Sequence, residues 1–189
     1  MDNKSIKALE LLFWQEITNI INDESVKVRR GWQTNGAPDW KITDNVVFMT
    51  IRNADGDDIT QPIDDKWEER EDDFLLTQGM TRNLELRLIA YGDRAYENLL
   101  TIKHKLLQGT RSLRSNKIYI VPGADNINTI PELFQGRWWE RADLRLRFNS
   151  LITFATEVNA VKEVSVTINA NSSGSSEEVA TEEFIIDKN

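Results

Sequence analysis

The side chains that could do chemistry in this chain are few, and their spacing does not suit it. His104 is the single histidine among 189 residues, and Lys103 and Lys105 flank it. A working imidazole needs an orienting carboxylate or carbonyl, and neighbouring ammonium groups oppose a bound cation. His104 therefore reads as a surface histidine. There is no cysteine, which removes disulfides, thiolate metal sites and cysteine nucleophiles together. A nucleophilic serine would have only His104 as its base, and no Gly-x-Ser-x-Gly elbow presents one.

Two acidic patterns invite a metal. From Asn53 to Asp64, oxygen side chains fall at positions 1, 3, 5 and 12 of a calcium-type loop. Position 6 is Asp58 where the sharp turn requires glycine, Pro62 intrudes, and the flanks are strand-like. The carboxylates at 64–73 could suggest paired acid–base groups or a two-metal hydrolase, but such pairs need a pocket that separates their pKa values. A run of carboxylates in a connection is instead solvated and self-repelling. No Walker-type glycine loop occurs. The expectation is no catalytic residue, no cofactor and no metal, with a metal-dependent hydrolase built on the 54–73 stretch as the remote alternative.

The elements that would position any site are easier to read. Ile6, Leu9, Phe13, Ile17 and Ile20 recur at helical spacing and predict an amphipathic helix over about 4–22. Val46–Arg52 reads as the first strand. The 54–73 stretch, with ten carboxylates against Lys66 and Arg70, reads as a long exposed connection with a short frayed strand near Trp67. A second strand is expected at 81–91, then a helix at 94–108 with Tyr96, Leu99, Leu100, Leu106 and Leu107 inward and Gly109 as its stop. From 141 to 158 the even residues Ala142, Leu144, Leu146, Phe148, Ile152, Phe154 and Val158 are apolar. The odd ones are mostly charged or polar, which marks a long one-sided strand. Residues 163–168 alternate again, 171–176 is a Ser/Gly-rich linker, and 179–186 would return as the second arm of a hairpin. The predicted fold is α+β, an antiparallel or mixed β-sheet with two α-helices packed on one face and a C-terminal β-hairpin. The predicted boundaries are a main domain over 1–160 and an extension over 161–189.

Composition narrows the partners. The formal net charge of −8 argues against a nucleic-acid-binding module, whose phosphate contacts need a basic face. The N-terminus lacks a secretory pattern, and no apolar run approaches the roughly 20 residues of a spanning helix, so a soluble intracellular product, or part of an assembly built inside a cell, is expected, without membrane contact. Lys103, Lys105, Arg111, Arg114 and Lys117 stand without an acid between them, opposite in sign to 54–73. Unlike faces on one chain can pair head to tail and close a ring of copies. Six tryptophans are more than a small core requires, and exposed aromatics beside arginine are what interface anchors use. Trp32, Trp40, Arg111, Arg114, Trp138 and Trp139 are the interface candidates, while Trp14 and Trp138 could equally serve the core.

Four segments together resemble one family: Val28–Trp40, Asp44–Phe48, Tyr91–Tyr96 and the run from Pro131 through Trp138-Trp139 and Arg141-Ala142-Asp143-Leu144 to Asn149. The family is the phage neck or tail terminator proteins, a tail-completion group common in contractile-tailed phages and prophages. The resemblance implies a structural virion protein with no catalytic residues to transfer. Its members form homohexameric rings that cap the growing tail tube, stop its polymerisation and present a surface to the head connector. The implied partners are other copies, tail tube and sheath proteins, and a head-completion or connector protein. The implied location is the virion tail or neck, after assembly in the host cytoplasm. Another tube, baseplate or head-completion protein of the same virion is the nearest alternative. DNA would cross the lumen without specific binding, and carboxylates from 54–73 that line or rim it would keep phosphate from sticking. The chain departs from the family pattern at Arg30-Gly31, in the enlarged acidic 54–73 stretch and after residue 160.

Overall fold

The computed structural model describes residues 5–31, 40–41, 43–54, 64–70, 73–123 and 125–159. The expected C-terminal hairpin, most of the calcium-like loop and Trp32 lie outside these residues.

Helix α1 (Ile6–Ile21) begins at Ser5, whose hydroxyl accepts from the Ala8 amide at 3.2 Å. It ends at Asn22, which turns left-handed at φ 45°. Its four-residue spacing buries Leu9, Phe13 and Ile17. Strand β1 (Val26–Arg30) follows and pairs in parallel with β2 (Asn45–Asn53), Val28 opposite Val47. No strand was expected at β1. Its sequence, VKVRR, is too short and too charged to show a period, and only its neighbour β2 gives it a ladder to join.

Strand β4 (Asp73–Tyr91) lies antiparallel to β2, with Met49 opposite Leu88 and Ile51 opposite Leu86. It begins eight residues before the predicted start at 81, since its first half pairs with β3 (Asp64–Glu69). The acidic stretch thus contains a real strand, at the place where a frayed one was expected. After α2 (Ala95–Gln108) and the short α3 (Arg111–Ser115) comes β5 (Ile118–Val121), antiparallel to β9 (Arg141–Asn159) with Ile118 opposite Ser150. The mixed sheet runs in the order β1-β2-β4-β9-β5, and β6 (Asn128–Thr129) adds a short pairing to β9.

The fold class is the α+β arrangement the periodicities implied. One face of the sheet supplies Val47 and Met49, Leu86, Leu88 and Ala90, and Ala142, Leu144, Leu146 and Phe148 to a core that α1 and α2 cover. Phe13 meets Phe148 edge to face, with centroids 4.9 Å apart. Both are fully buried, each worth about 1.5–3 kcal/mol in transfer from water.

Two expectations about facing are corrected. Helix α2 buries Ala95, Asn98, Leu99, Ile102 and Leu106, whereas Tyr96, Leu100 and Leu107 are exposed. The apolar residues of the helix form one broad face, and packing on the sheet took the part of it centred on Leu99, Ile102 and Leu106. The even-residue face of β9 is buried from Ala142 through Ile152, but Phe154 is exposed. Two compact units divide the chain. One comprises residues up to 65 and 78–154 and holds the helices and the core. The other comprises 66–77 and the residues from 155, where Trp67 packs edge-on against Phe74 and Arg70 lies 3.5 Å from Glu157.

Candidate interaction surfaces

The sheet face opposite the helices carries the aromatic residues. Period two along β2 and β4 sends Val46 and Phe48, and Ile89 and Tyr91, away from the main core. Val46, opposite Tyr91 in the ladder, is nonetheless fully buried. An aromatic cluster gathers around Tyr91 on this face. Trp40 packs on Phe48 at 5.6 Å, on Tyr91 at 4.8 Å and on Trp139 at 4.7 Å between ring centroids. These are tilted and edge-to-face contacts of the kind that add to area burial. Beside the cluster a groove of about 450 Å³ opens between Trp40, Phe48, Ile89 and Tyr91, with Arg52 and Arg87 on its wall.

Trp139 reaches the cluster from a hairpin, β7 (Glu132–Phe134) and β8 (Arg137–Trp139). Its two turn residues, Gln135 and Gly136, both take positive φ, 50° and 72°, as the tight two-residue turn that matches strand twist requires. Glu132, opposite Trp139 in the register, accepts from the Tyr91 hydroxyl at 2.9 Å and from Arg141 Nη1 at 2.8 Å. Arg141 also grips Asp143 with both prongs, Nε to Oδ1 at 2.7 Å and Nη2 to Oδ2 at 2.8 Å. Its guanidinium carbon lies 5.9 Å from the Tyr91 ring centre. The hairpin is therefore fastened at one end by an indole and a carboxylate together.

The electrostatics follow from that geometry. Arg141, then the Tyr91 hydroxyl, holds the Glu132 carboxyl below the usual glutamate range. Burial, reinforced by the Glu132 bond, pushes the Tyr91 hydroxyl from 10.0 up to about 12. Asp143 raises the Arg141 guanidinium further still, so it stays charged. All four groups are engaged with one another.

With Trp139 turned inward, period two turns Leu133 and Trp138 outward on the other hairpin face, and Trp138 is 68% exposed. Of the paired tryptophans, one fastens the hairpin and the other is displayed. Trp14, the other ambiguous residue, is half-buried against the core and donates from Nε1 to the Val28 carbonyl at 3.0 Å.

A family model for phage neck terminator proteins matches residues 7–172. The chain belongs to that family. No curated protein matches it. The family is one of structural virion proteins of the phage neck. Tyr91, Glu132, Arg141 and Asp143, whose side chains make the fastening, all fall within the matched span.

The remaining candidates of this family member are dispersed. Arg111 is exposed on α3. Arg114 is turned back on its own chain, donating from Nη2 to the Gln108 carbonyl at 3.0 Å across the α2–α3 turn. Lys103 donates to the Asp125 carbonyl. His104 is exposed, 3.4 Å from the Gln108 amide. Among the described residues no group of three or more acidic or histidine side chains could hold a metal ion, and no described helix is long and apolar enough to cross a membrane. Sequence reasoning missed the fastening residues Tyr91, Glu132 and Arg141. Glu132 stands 41 residues from Tyr91, and nothing local to either announces the other.

Proposed function

We propose that this neck terminator assembles as a homohexameric ring that caps the tail tube, stops its polymerisation and joins the tail to the head connector. The observation that carries this reading is Trp138, displayed beside Leu133 on a hairpin whose other face is fastened by Trp139 and Glu132. A rigid, exposed tryptophan loses little conformational freedom on binding, and such residues dominate contact energetics. In this reading Trp138 and Arg111 touch partners, Trp40 and Trp139 hold the displayed surface in place, and Trp32 is a further contact candidate. Arg114 shapes the basic surface from within. Partners are other copies, tail tube and sheath proteins and a head-completion protein, met in the virion neck after assembly in the host cytoplasm. DNA passes through the lumen without specific binding, consistent with the net charge of −8. Residues 1–160 act as the terminator domain and 161–189 as an extension of it.

Electron micrographs of particles assembled without this protein test the role. Over-long tails without heads are the expected result. Tails of normal length, or missing tube altogether, would move the protein to another station of the virion. Size-exclusion chromatography with light scattering tests the ring, which is expected alone or on isolated tail tubes.

A further inference from the structure

Two surfaces lie outside the hairpin and carry opposite chemistry. The outward flank of α2 presents Tyr96, Leu100 and Leu107, which are 45%, 48% and 46% exposed. With Ile127 they line a groove of about 400 Å³, and Lys103 and His104 stand along it with no carboxylate among the described lining residues. The helix satisfies its own core with another part of its apolar face, so this one is surplus to the folding of the chain. The second surface is β3. Period two puts Asp65, Trp67 and Glu69 on one of its faces, with Lys66 and Glu68 on the other. Trp67 is 56% exposed and is propped edge-on by Phe74 at 6.4 Å.

We propose that the α2 groove of one copy receives the Asp65–Trp67–Glu69 face of β3 from the next copy. The indole enters between Tyr96, Leu100 and Leu107, and the two flanking carboxylates meet Lys103 and His104 at the rim. The chemistry is complementary: the strand face holds two acids and no base, and the groove holds one ammonium, one imidazole and no acid among its described lining residues. A tryptophan buries about 150–250 Å², enough to anchor such a contact, while rim charges steer the approach and fix its register. Because groove and strand are different surfaces of one chain, the contact is head to tail, the type that closes into a ring. This rests on the ring reading above and deepens it, assigning the β3 part of the acidic stretch to the joint between copies and not to the lumen.

The natural absence of cysteine allows a direct test. The double variant Glu69→Cys/His104→Cys, assembled and treated with a short bis-maleimide, should give a covalent ladder that ends at the ring. A mixture of the two single variants should stop at dimers. Trp67→Ala and, separately, Leu100→Asp should each lower the assembled fraction at least tenfold at fixed concentration while the circular dichroism of the monomer stays unchanged. Rings that form without cross-links, or that survive both substitutions, overturn the assignment of the joint and leave the ring intact. No oligomer from the unsubstituted chain, alone or on tail tubes, overturns both.

Discussion

Trp40 and Trp139 pack edge to face, with ring centroids 4.7 Å apart and planes at 71°. One stands at the entry to β2, the other at the end of a hairpin almost a hundred residues later, and their contact ties the two together over Phe48 and Tyr91. The adjacent Trp138 has no share in that packing and faces solvent. The division of labour between two consecutive tryptophans yields the sharpest expectation.

Trp139→Ala should destabilise the monomer by about 2–3 kcal/mol, below the range for fully buried tryptophan because the residue is half-buried. Trp138→Ala should leave monomer stability within about 0.5 kcal/mol, as surface changes do, yet weaken assembly. Urea unfolding read beside light scattering separates the two. Equal losses of stability would contradict the assignment.

Arg111 and Arg114 should part company in the same way. Arg114→Glu removes the bond to the Gln108 carbonyl that closes the α2–α3 turn and should cost about 1 kcal/mol of folding stability. Arg111→Glu should leave folding unchanged and lower the oligomer fraction. A chevron or equilibrium denaturation of both variants decides this, and an unaffected Arg114→Glu monomer would show that the turn needs no such tie.

The hairpin fastening gives a pH dependence at both ends of the scale. Glu132 has a lowered pKa in the folded state, so its contribution is fully present above the ordinary glutamate value of 4.5 and is lost as pH falls through the folded value. Tyr91 is raised to about 12. Its contribution is present below 10 and is lost as pH rises from 10 to 12, because the unfolded phenol releases its proton first. Tryptophan fluorescence of the monomer should shift in both windows, and Glu132→Gln should abolish the acid shift.

Gly92 holds the turn between β4 and α2 at φ 104°, where an added Cβ would lie 2.5 Å from Asn45 Oδ1 and 2.8 Å from the Asp44 carbonyl. The Asn45 carboxamide in turn accepts from the Arg94 amide at 3.1 Å. Gly92→Ala is expected to cost more than about 1 kcal/mol, through both the backbone and the crowding. Thermal denaturation checks it, and a wild-type midpoint would mean the turn relaxes freely.

The sequence by itself determined the elements whose one-sided pattern is long: α1, with its four-residue spacing from Leu9 through Phe13 to Ile17, and β9, whose alternation runs from Ala142 to Ile152. It also carried the family, since the segments around Trp40, Tyr91 and Trp138 to Asp143 are contiguous motifs that survive being read in one dimension. Tertiary structure alone decided three other matters. Strand β1 exists only because β2 lies alongside it, for a strand satisfies its backbone between chains and five residues of VKVRR carry no period of their own. Helix α2 has one broad apolar face, and the sheet could cover just part of it, so Tyr96, Leu100 and Leu107 were left outside. Trp138 and Trp139 are chemically identical neighbours. Their fates separated because the pleat sends consecutive side chains to opposite faces, and the partners that fixed the hairpin's sense, Tyr91 and Arg141 at Glu132 and Trp40 at Trp139, meet them only through the fold.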